Sequence, residues 1–159
     1  MEKHRRIAVI RIRGNIGVDV RIETAFKKLR LFKKNTCIVI NNKKDYLGSL
    51  RKIKDFSTWG EIDEDTFKLL LLKRGKLPGN KQFSEEYLKV KNKISVEDFV
   101  KDFFEFKKEL RDIPGLKLFF RLGMPVKGFE RGGIKVPYSL GGVLGYRKDQ
   151  INDLIRRMI

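Results

Sequence analysis

The spacing of hydrophobic and polar residues predicts a strand–helix–strand–helix–strand order between residues 7 and 62. Strands are predicted over residues 7–13, 36–40 and 57–62, and the second of these, TCIVI, is continuously apolar. Apolar positions at helical spacing predict a helix over residues 19–31 and another, with Asp45 as its N-cap, that extends to about residue 56. This order allows a small sheet with two helices on one face.

The pattern then becomes mainly helical. One helix is predicted to end at Gly75, where the GKLPGNK loop is the clearest internal boundary. Ser84 is expected to cap a short helix and Ser95 a longer one, whose apolar stripe continues through Phe106 and Leu110 until residues 113–115 stop it. A strand with one charged face is predicted over residues 116–122, and a closing helix over residues 149–159.

Acidic residues precede the helix that ends at Gly75, and they allow two interpretations. Glu61, Asp63, Glu64 and Asp65 could hold Mg²⁺ or Ca²⁺, because hard cations prefer carboxylate oxygens. The same residues are also typical of a helix N-terminus, where the helix dipole favours negative charge. The second interpretation is favoured, since an apolar helical face follows directly.

Residues 121–147 interrupt the helical pattern with seven glycines and two prolines. No helix tolerates this glycine density, because each interior glycine costs roughly 0.5–1 kcal/mol relative to alanine. Five Lys or Arg residues accompany a single acid, Glu130. The stretch is therefore predicted to be a loop with a bare backbone and positive charge, which favours a polyanion as its partner.

The composition of the whole chain supports a polyanion partner. The 159 residues carry 37 Lys or Arg and 20 Asp or Glu, a net charge of +17, and 41% of them are hydrophobic, which excludes a disordered tail. An excess of this size repels itself in a compact fold unless a partner neutralises part of it. The opening residues form a short basic arm (1–6), and Arg11 and Arg13 interrupt the apolar run that a signal peptide would need.

Residues for catalysis or metal binding are scarce. Cys37 is the single cysteine and lies in a buried-strand pattern, so a core position is expected, and His4 is the single histidine. A Ser–His–Asp triad or a zinc site is therefore not expected. Gly14-Asn15-Ile16-Gly17 matches the GxxG of KH domains, but it follows a strand and is interpreted as a turn.

The C-terminal segment GGIKVPYSLGGVLGYRKDQINDLIRRMI resembles the end of ribosomal large-subunit proteins of the L-thirty family, called L-seven in eukaryotes. IAVIRIRGNIGV and TCIVINNKKDYLGSLRKIKDF are similar to the amino-terminal part of that family, so the resemblance covers nearly the whole chain. The short basic arm favours the archaeal type. The resemblance implies a ferredoxin-like α+β core (residues 7–62), a three-stranded sheet with two helices in βαβαβ order. It also implies that residues 63–159 pack on this core as an α/β extension within a single structural domain.

The resemblance implies a structural component of the large ribosomal subunit, located in the cytoplasm, with rRNA and neighbouring ribosomal proteins as partners and without catalysis or a cofactor. Charge and glycine content suggest how it would bind rRNA, mainly through phosphate and ribose. The cations predicted to contact phosphates are Arg121, Lys127, Arg131, Lys135, Arg147 and Lys148, with Arg11 and Arg13 as secondary contacts. The glycines predicted to let the RNA backbone approach closely are Gly132, Gly133, Gly141 and Gly142, and Tyr138 is the predicted aromatic contact.

Two other classes of protein remain as alternatives. A metal-dependent nucleic-acid-processing enzyme would use the Glu61–Asp65 carboxylates. A sequence-specific DNA-binding protein is less favoured, because the basic stretch is rich in glycine rather than helical.

Overall fold

The computed structural model describes residues 5–159, so Lys3 and His4 of the predicted basic arm lie outside the described residues. The described chain forms five strands and six α-helices: β1 Arg6–Arg11, α1 Val20–Lys28, β2 Thr36–Asn41, α2 Lys44–Lys52, β3 Ser57–Glu61, α3 Glu64–Arg74, α4 Glu85–Asn92, α5 Val96–Phe104, β4 Phe120–Arg121, β5 Gly145–Tyr146 and α6 Ile151–Met158. The α+β class is confirmed, and the order β1-α1-β2-α2-β3 is the one that the hydrophobic pattern predicted.

The sheet has five strands in the order β4-β2-β1-β3-β5, so the prediction of three strands was wrong. The central strand β1 is antiparallel to both β2 and β3. On one edge β4 pairs antiparallel with β2, and on the other β5 pairs parallel with β3. Each added strand has only two residues, too few to produce an alternating pattern, and each pairs with a strand more than 80 residues away in the chain.

The hydrophobic core lies on both faces of this sheet. Ile7 and Val9 of β1 pack with α1 and α2, whereas Ala8 and Ile10 pack with residues of α3, α5 and α6. A strand that is covered on both faces carries a continuous apolar run, which explains why β1 and β2 lack strict alternation. Cys37 is buried in β2 as expected, and burial raises the pKa of its thiol.

Side-chain caps begin α3, α4 and α5 of the extension, as predicted. Asp63 Oδ1 accepts a hydrogen bond from the Thr66 amide (2.7 Å), and Ser84 and Ser95 likewise accept from backbone amides at the starts of α4 and α5. The predicted cap of α2 was wrong: the helix follows Lys43, and Asp45 lies in its first turn.

Several predicted elements are shorter in the structure: α1 ends at Lys28 rather than residue 31 and α2 at Lys52 rather than about residue 56, and the largest differences lie in α5 and β4. Helix α5 ends at Phe104, and Phe106 takes a positive φ of 62° as the chain turns away. The strand predicted over residues 116–122 is reduced to Phe120–Arg121, the two residues that pair with β2. Leu116, Phe120 and Leu122 are nevertheless buried, so the apolar pattern there reflects packing rather than a long ladder of hydrogen bonds.

Candidate nucleic-acid interface

The glycine-rich loop (residues 122–144) connects β4 to β5, at opposite edges of the sheet, and is fastened to the end of α6. The amide of Gly123 donates to the Met158 carbonyl (2.9 Å), and that of Val126 donates to the Arg157 carbonyl (2.8 Å). These carbonyls belong to the last turn of a helix, where they have no intrahelical partner. The loop therefore supplies hydrogen-bond donors to the last carbonyls of α6, and these hydrogen bonds hold the loop against the helix.

Glycines allow this loop to fold closely on itself. A Cβ atom on Gly132 would lie 2.6 Å from the Gly141 carbonyl oxygen, and one on Gly142 would lie 2.1 Å from the Val136 carbonyl oxygen. Gly133 and Gly141 have positive φ angles of 78° and 82°, which L-residues rarely adopt. The space that a Cβ atom would need at Gly132 and Gly142 is thus occupied by the backbone of the loop itself, and the close approach of phosphate to these glycines stays a prediction.

The single acid of the loop is turned inward to a buried arginine. Arg147, whose side chain is 1% exposed, donates from Nη1 to Glu130 Oε1 (2.9 Å) and from Nε to Thr58 Oγ1 (2.9 Å). Arg157 Nη2 lies 3.5 Å from the same carboxylate oxygen, Oε1. Burial by itself raises the pKa of Glu130, but the hydrogen bond from Arg147, a backbone hydrogen bond and the two positive charges outweigh it and lower the pKa below the ordinary value.

The outer surface of the stretch therefore carries positive charge without an exposed acid. Glu130 is the only Asp or Glu between residues 121 and 148, and its negative charge is compensated within the fold. Five of the predicted phosphate contacts are exposed there: Arg121, Lys127, Arg131, Lys135 and Lys148. A phosphate backbone would meet unpaired cations on a loop of defined shape.

Other predicted contacts are engaged inside the protein. Arg11 is buried, with its guanidinium 3.9 Å from the centre of the Phe26 ring and hydrogen-bonded to the carbonyl of Leu31 (2.8 Å). Burial lowers its pKa. Arg147 lies over the ring of half-buried Tyr138, with 4.6 Å to the ring centre. In this conformation, the guanidiniums of Arg11 and Arg147 are committed to the fold and are not free to contact phosphates.

Three further placements were not predicted from the sequence. Arg13 is half-buried and donates to the carbonyl of Asp55 (3.1 Å), so it is only partly available. The internal role of Glu130 was missed, although a single acid among five basic residues was a signal that it pairs locally. Arg157 was also missed, because its position in the closing helix does not indicate contact with the loop.

The carboxylates of the acidic run have separate partners. Asp63 caps α3 and lies 3.3 Å from Arg156, while Glu61 accepts a hydrogen bond from the Tyr146 hydroxyl (2.6 Å). Within residues 5–159, no group of three or more His, Cys, Asp or Glu side chains is arranged to hold a metal ion. In the same residues, no helix is long and apolar enough to cross a bilayer.

Comparison with known proteins decides the family. Residues 7–56 match the family described as Ribosomal protein L30p/L7e. The large ribosomal subunit protein uL30 of Methanopyrus kandleri is 50% identical over 149 residues, which cover 93% of this chain and 100% of the relative. The chain belongs to the uL30 family of large ribosomal subunit proteins.

Further members of the family agree with this assignment. The uL30 protein of Methanococcus maripaludis is 44% identical over 96% of this chain and 98% of its own length, and that of Nanoarchaeum equitans is 43% identical over 96% and 97%. These relatives are archaeal and are named as ribosomal proteins rather than enzymes. The resemblance that the sequence motifs indicated is confirmed, and the metal-dependent enzyme has no support from the comparisons.

Proposed function

We propose that this uL30 protein binds the rRNA of the large subunit mainly through phosphate and ribose contacts, supporting subunit assembly and translation in the cytoplasm. Its partners are rRNA and the ribosomal proteins that lie beside it. The glycine-rich loop with its flanking residues Arg121 and Lys148 forms the main contact surface.

The observation that carries this proposal is the separation of charge in the glycine-rich loop and its flanking residues Arg121 and Lys148. The only carboxylate is turned inward to Arg147 and Arg157, while five cations are exposed. Cations held on a folded loop bind phosphates and release the counterions that surround RNA. A loop whose backbone is already folded also loses less conformational freedom on binding than a mobile tail does.

The test is the salt dependence of binding to purified archaeal large-subunit rRNA. The combined substitution Lys127→Gln, Arg131→Gln and Lys135→Gln removes three exposed charges. If all three contact phosphates, the slope of log K against log salt concentration decreases by about 2 to 3. A matched control, Lys73→Gln, Lys89→Gln and Lys91→Gln, removes the same charge from α3 and α4 and should change the slope by less than about 1.

Equal slope changes in the two triple variants would show that net charge, not this loop, determines binding. A second test is sedimentation of the native protein in cell extract at low and high salt. Comigration with the large subunit and release only at high salt support the proposal, whereas protein that remains in the free fraction at both salts contradicts it.

A further inference from the structure

A cleft with aromatic and basic walls opens at the β4 edge of the sheet, outside the glycine-rich loop. Its volume is about 330 Å³, near the lower end of the roughly 300–1,000 Å³ typical of ligand sites. We call it the aromatic cleft and define it by Phe32, Lys33, Asn80, Lys117, Phe119 and Arg121. Three separate segments of the chain meet there, so no local sequence motif predicts it.

The aromatic wall is formed by two phenylalanines of different exposure. Phe119 is half-buried and packs against the core beneath α1 and α2. Phe32 is 48% exposed, and its ring meets that of Phe119 edge to face, with 6.2 Å between centroids and 82° between planes. A single exposed phenylalanine is ordinary on a protein surface. Here the ring is oriented by a fixed neighbour and borders a cavity, which gives it an accessible surface for stacking.

The rest of the cleft is suited to an anion. Lys33, Lys117 and Arg121 line it, and among residues 5–159 no carboxylate does. Asn80 Oδ1 accepts a hydrogen bond from the Lys117 ammonium (2.5 Å), which positions that charge toward the cavity wall. The backbone below is held by the pairing of Arg121 with Thr36 and by a hydrogen bond from the Leu122 amide to the Asn35 carbonyl (2.8 Å).

A second cleft provides a comparison. It lies between the end of α1, β2 and residues 109–111, and it is also lined by cations, including Lys28 and Arg30. However, the carboxylate of Glu109 lines it as well, paired with the buried Arg6 at 3.0 Å. The aromatic cleft therefore combines a stacking surface with positive charge that no carboxylate in its wall offsets.

We infer that the aromatic cleft receives one unpaired nucleotide of the rRNA, with its base stacked on Phe32 and its phosphate held by Lys33, Lys117 and Arg121. This inference rests on the proposed function, since it names the part of the RNA that this site takes. Single-stranded bases offer the free π-face that an aromatic side chain can stack on, whereas bases within a helix are already stacked. Arg121 would join this site to the phosphate contacts of the glycine-rich loop.

The test uses a short single-stranded oligouridylate that contains one central 2-aminopurine and is end-labelled with fluorescein. Anisotropy of the fluorescein reports all binding, and quenching of 2-aminopurine reports stacking of that base. The wild-type protein should bind and quench. Phe32→Leu should abolish the quenching and weaken binding at least about fivefold, the lower end of the cost of losing one stacked base. Phe32→Tyr keeps an aromatic ring and should retain both signals.

Leu69→Ala, which alters a similarly exposed apolar residue on α3, should change neither signal. Lys33→Gln combined with Lys117→Gln should weaken binding and reduce its salt dependence. Phe32 is half exposed, so the Leu variant is expected to fold, and its urea midpoint is compared with that of Phe32→Tyr.

Two results would overturn the inference. The first is salt-dependent binding whose quenching is unchanged in Phe32→Leu, which removes the cleft as a site but leaves the proposed function intact. The second is no binding of this probe by the wild-type protein at low salt, which shows that the cleft does not take unpaired nucleotides. The rRNA titrations described above then decide separately whether the proposed function stands.

Discussion

Substitution of Glu130 by Gln tests whether the inward-facing acid holds the glycine-rich loop in its shape. Gln has nearly the same volume as Glu but removes the negative charge that Arg147 and Arg157 share. The Arg147 guanidinium would remain buried, with Thr58 and the Val143 carbonyl as acceptors but without a countercharge. The variant is therefore expected to be less stable than the wild type.

The size of the loss follows from the burial of the two partners. Removing one member of a fully buried ion pair costs roughly 3–5 kcal/mol, because the remaining charge is uncompensated. Glu130 keeps 23% of its side chain exposed, and the Gln carbonyl can still accept from Arg147, so the loss is smaller. We expect about 2 kcal/mol, a decrease in Tm of about 4–8 °C for a chain of this size.

Acid dependence supplies an independent measurement. The pKa of Glu130 is lowered by folding from its ordinary value of 4.5, so this carboxylate stabilises the fold above that pH and loses its effect as pH falls through the folded-state pKa. Urea unfolding of the two proteins should differ by about 2 kcal/mol at pH 7. The difference should begin to shrink below about pH 4.5, where the unfolded chain takes up the proton, and should be lost as the pH falls through the lower pKa of the folded-state carboxylate.

Glu86→Gln, an exposed glutamate in the first turn of α4, is the control and should cost less than about 1 kcal/mol. A loss below about 0.5 kcal/mol for Glu130→Gln, or a difference that stays constant from pH 7 to acid pH, would refute the countercharge argument.

Four other substitutions have expected effects on urea unfolding. Gly48→Ala, in open space within α2, should stabilise by about 0.5–1 kcal/mol, whereas Gly60→Ala should destabilise by about 1–3 kcal/mol or more, since the new Cβ would lie 1.8 Å from the Lys148 carbonyl oxygen; the opposite order would contradict the packing of β3. Arg11→Lys should cost about 1–3 kcal/mol, because an ammonium cannot make the hydrogen bonds of the guanidinium, and should leave the salt dependence of rRNA binding unchanged. A change in that slope would show that Arg11 takes part in rRNA binding. Asp63→Ala should cost about 0.5–2 kcal/mol through loss of the α3 cap, and a smaller loss than in Asp65→Ala would argue against the cap.

Interactions between residues close together in the chain were sufficient to predict several helix starts. The caps at Asp63, Ser84 and Ser95 depend on a side chain and an amide three residues later, so the sequence shows both partners together. The prediction of Asp45 as a cap was wrong because α2 begins two residues earlier, with Lys43 at the N-cap position and no side-chain hydrogen bond there. Nothing in the residue types excludes this earlier start. The end of α5 at Phe104 could not be predicted either, because the helical spacing of phenylalanines continues to Phe106, where the backbone has already turned.

The sequence by itself determined the order of the first five elements, the excess of positive charge, the glycine-rich loop and the family. These properties depend on composition, on short-range periodicity or on extended motifs. Only the tertiary structure decided that β4 and β5 complete the sheet and which arginines face the solvent. Arg121 and Arg147 are the same residue type at two ends of one loop, yet one is exposed and the other is buried against Glu130 and Thr58. That difference depends on partners far away in the chain, and a guanidinium is buried only where folding assembles enough acceptors to replace water.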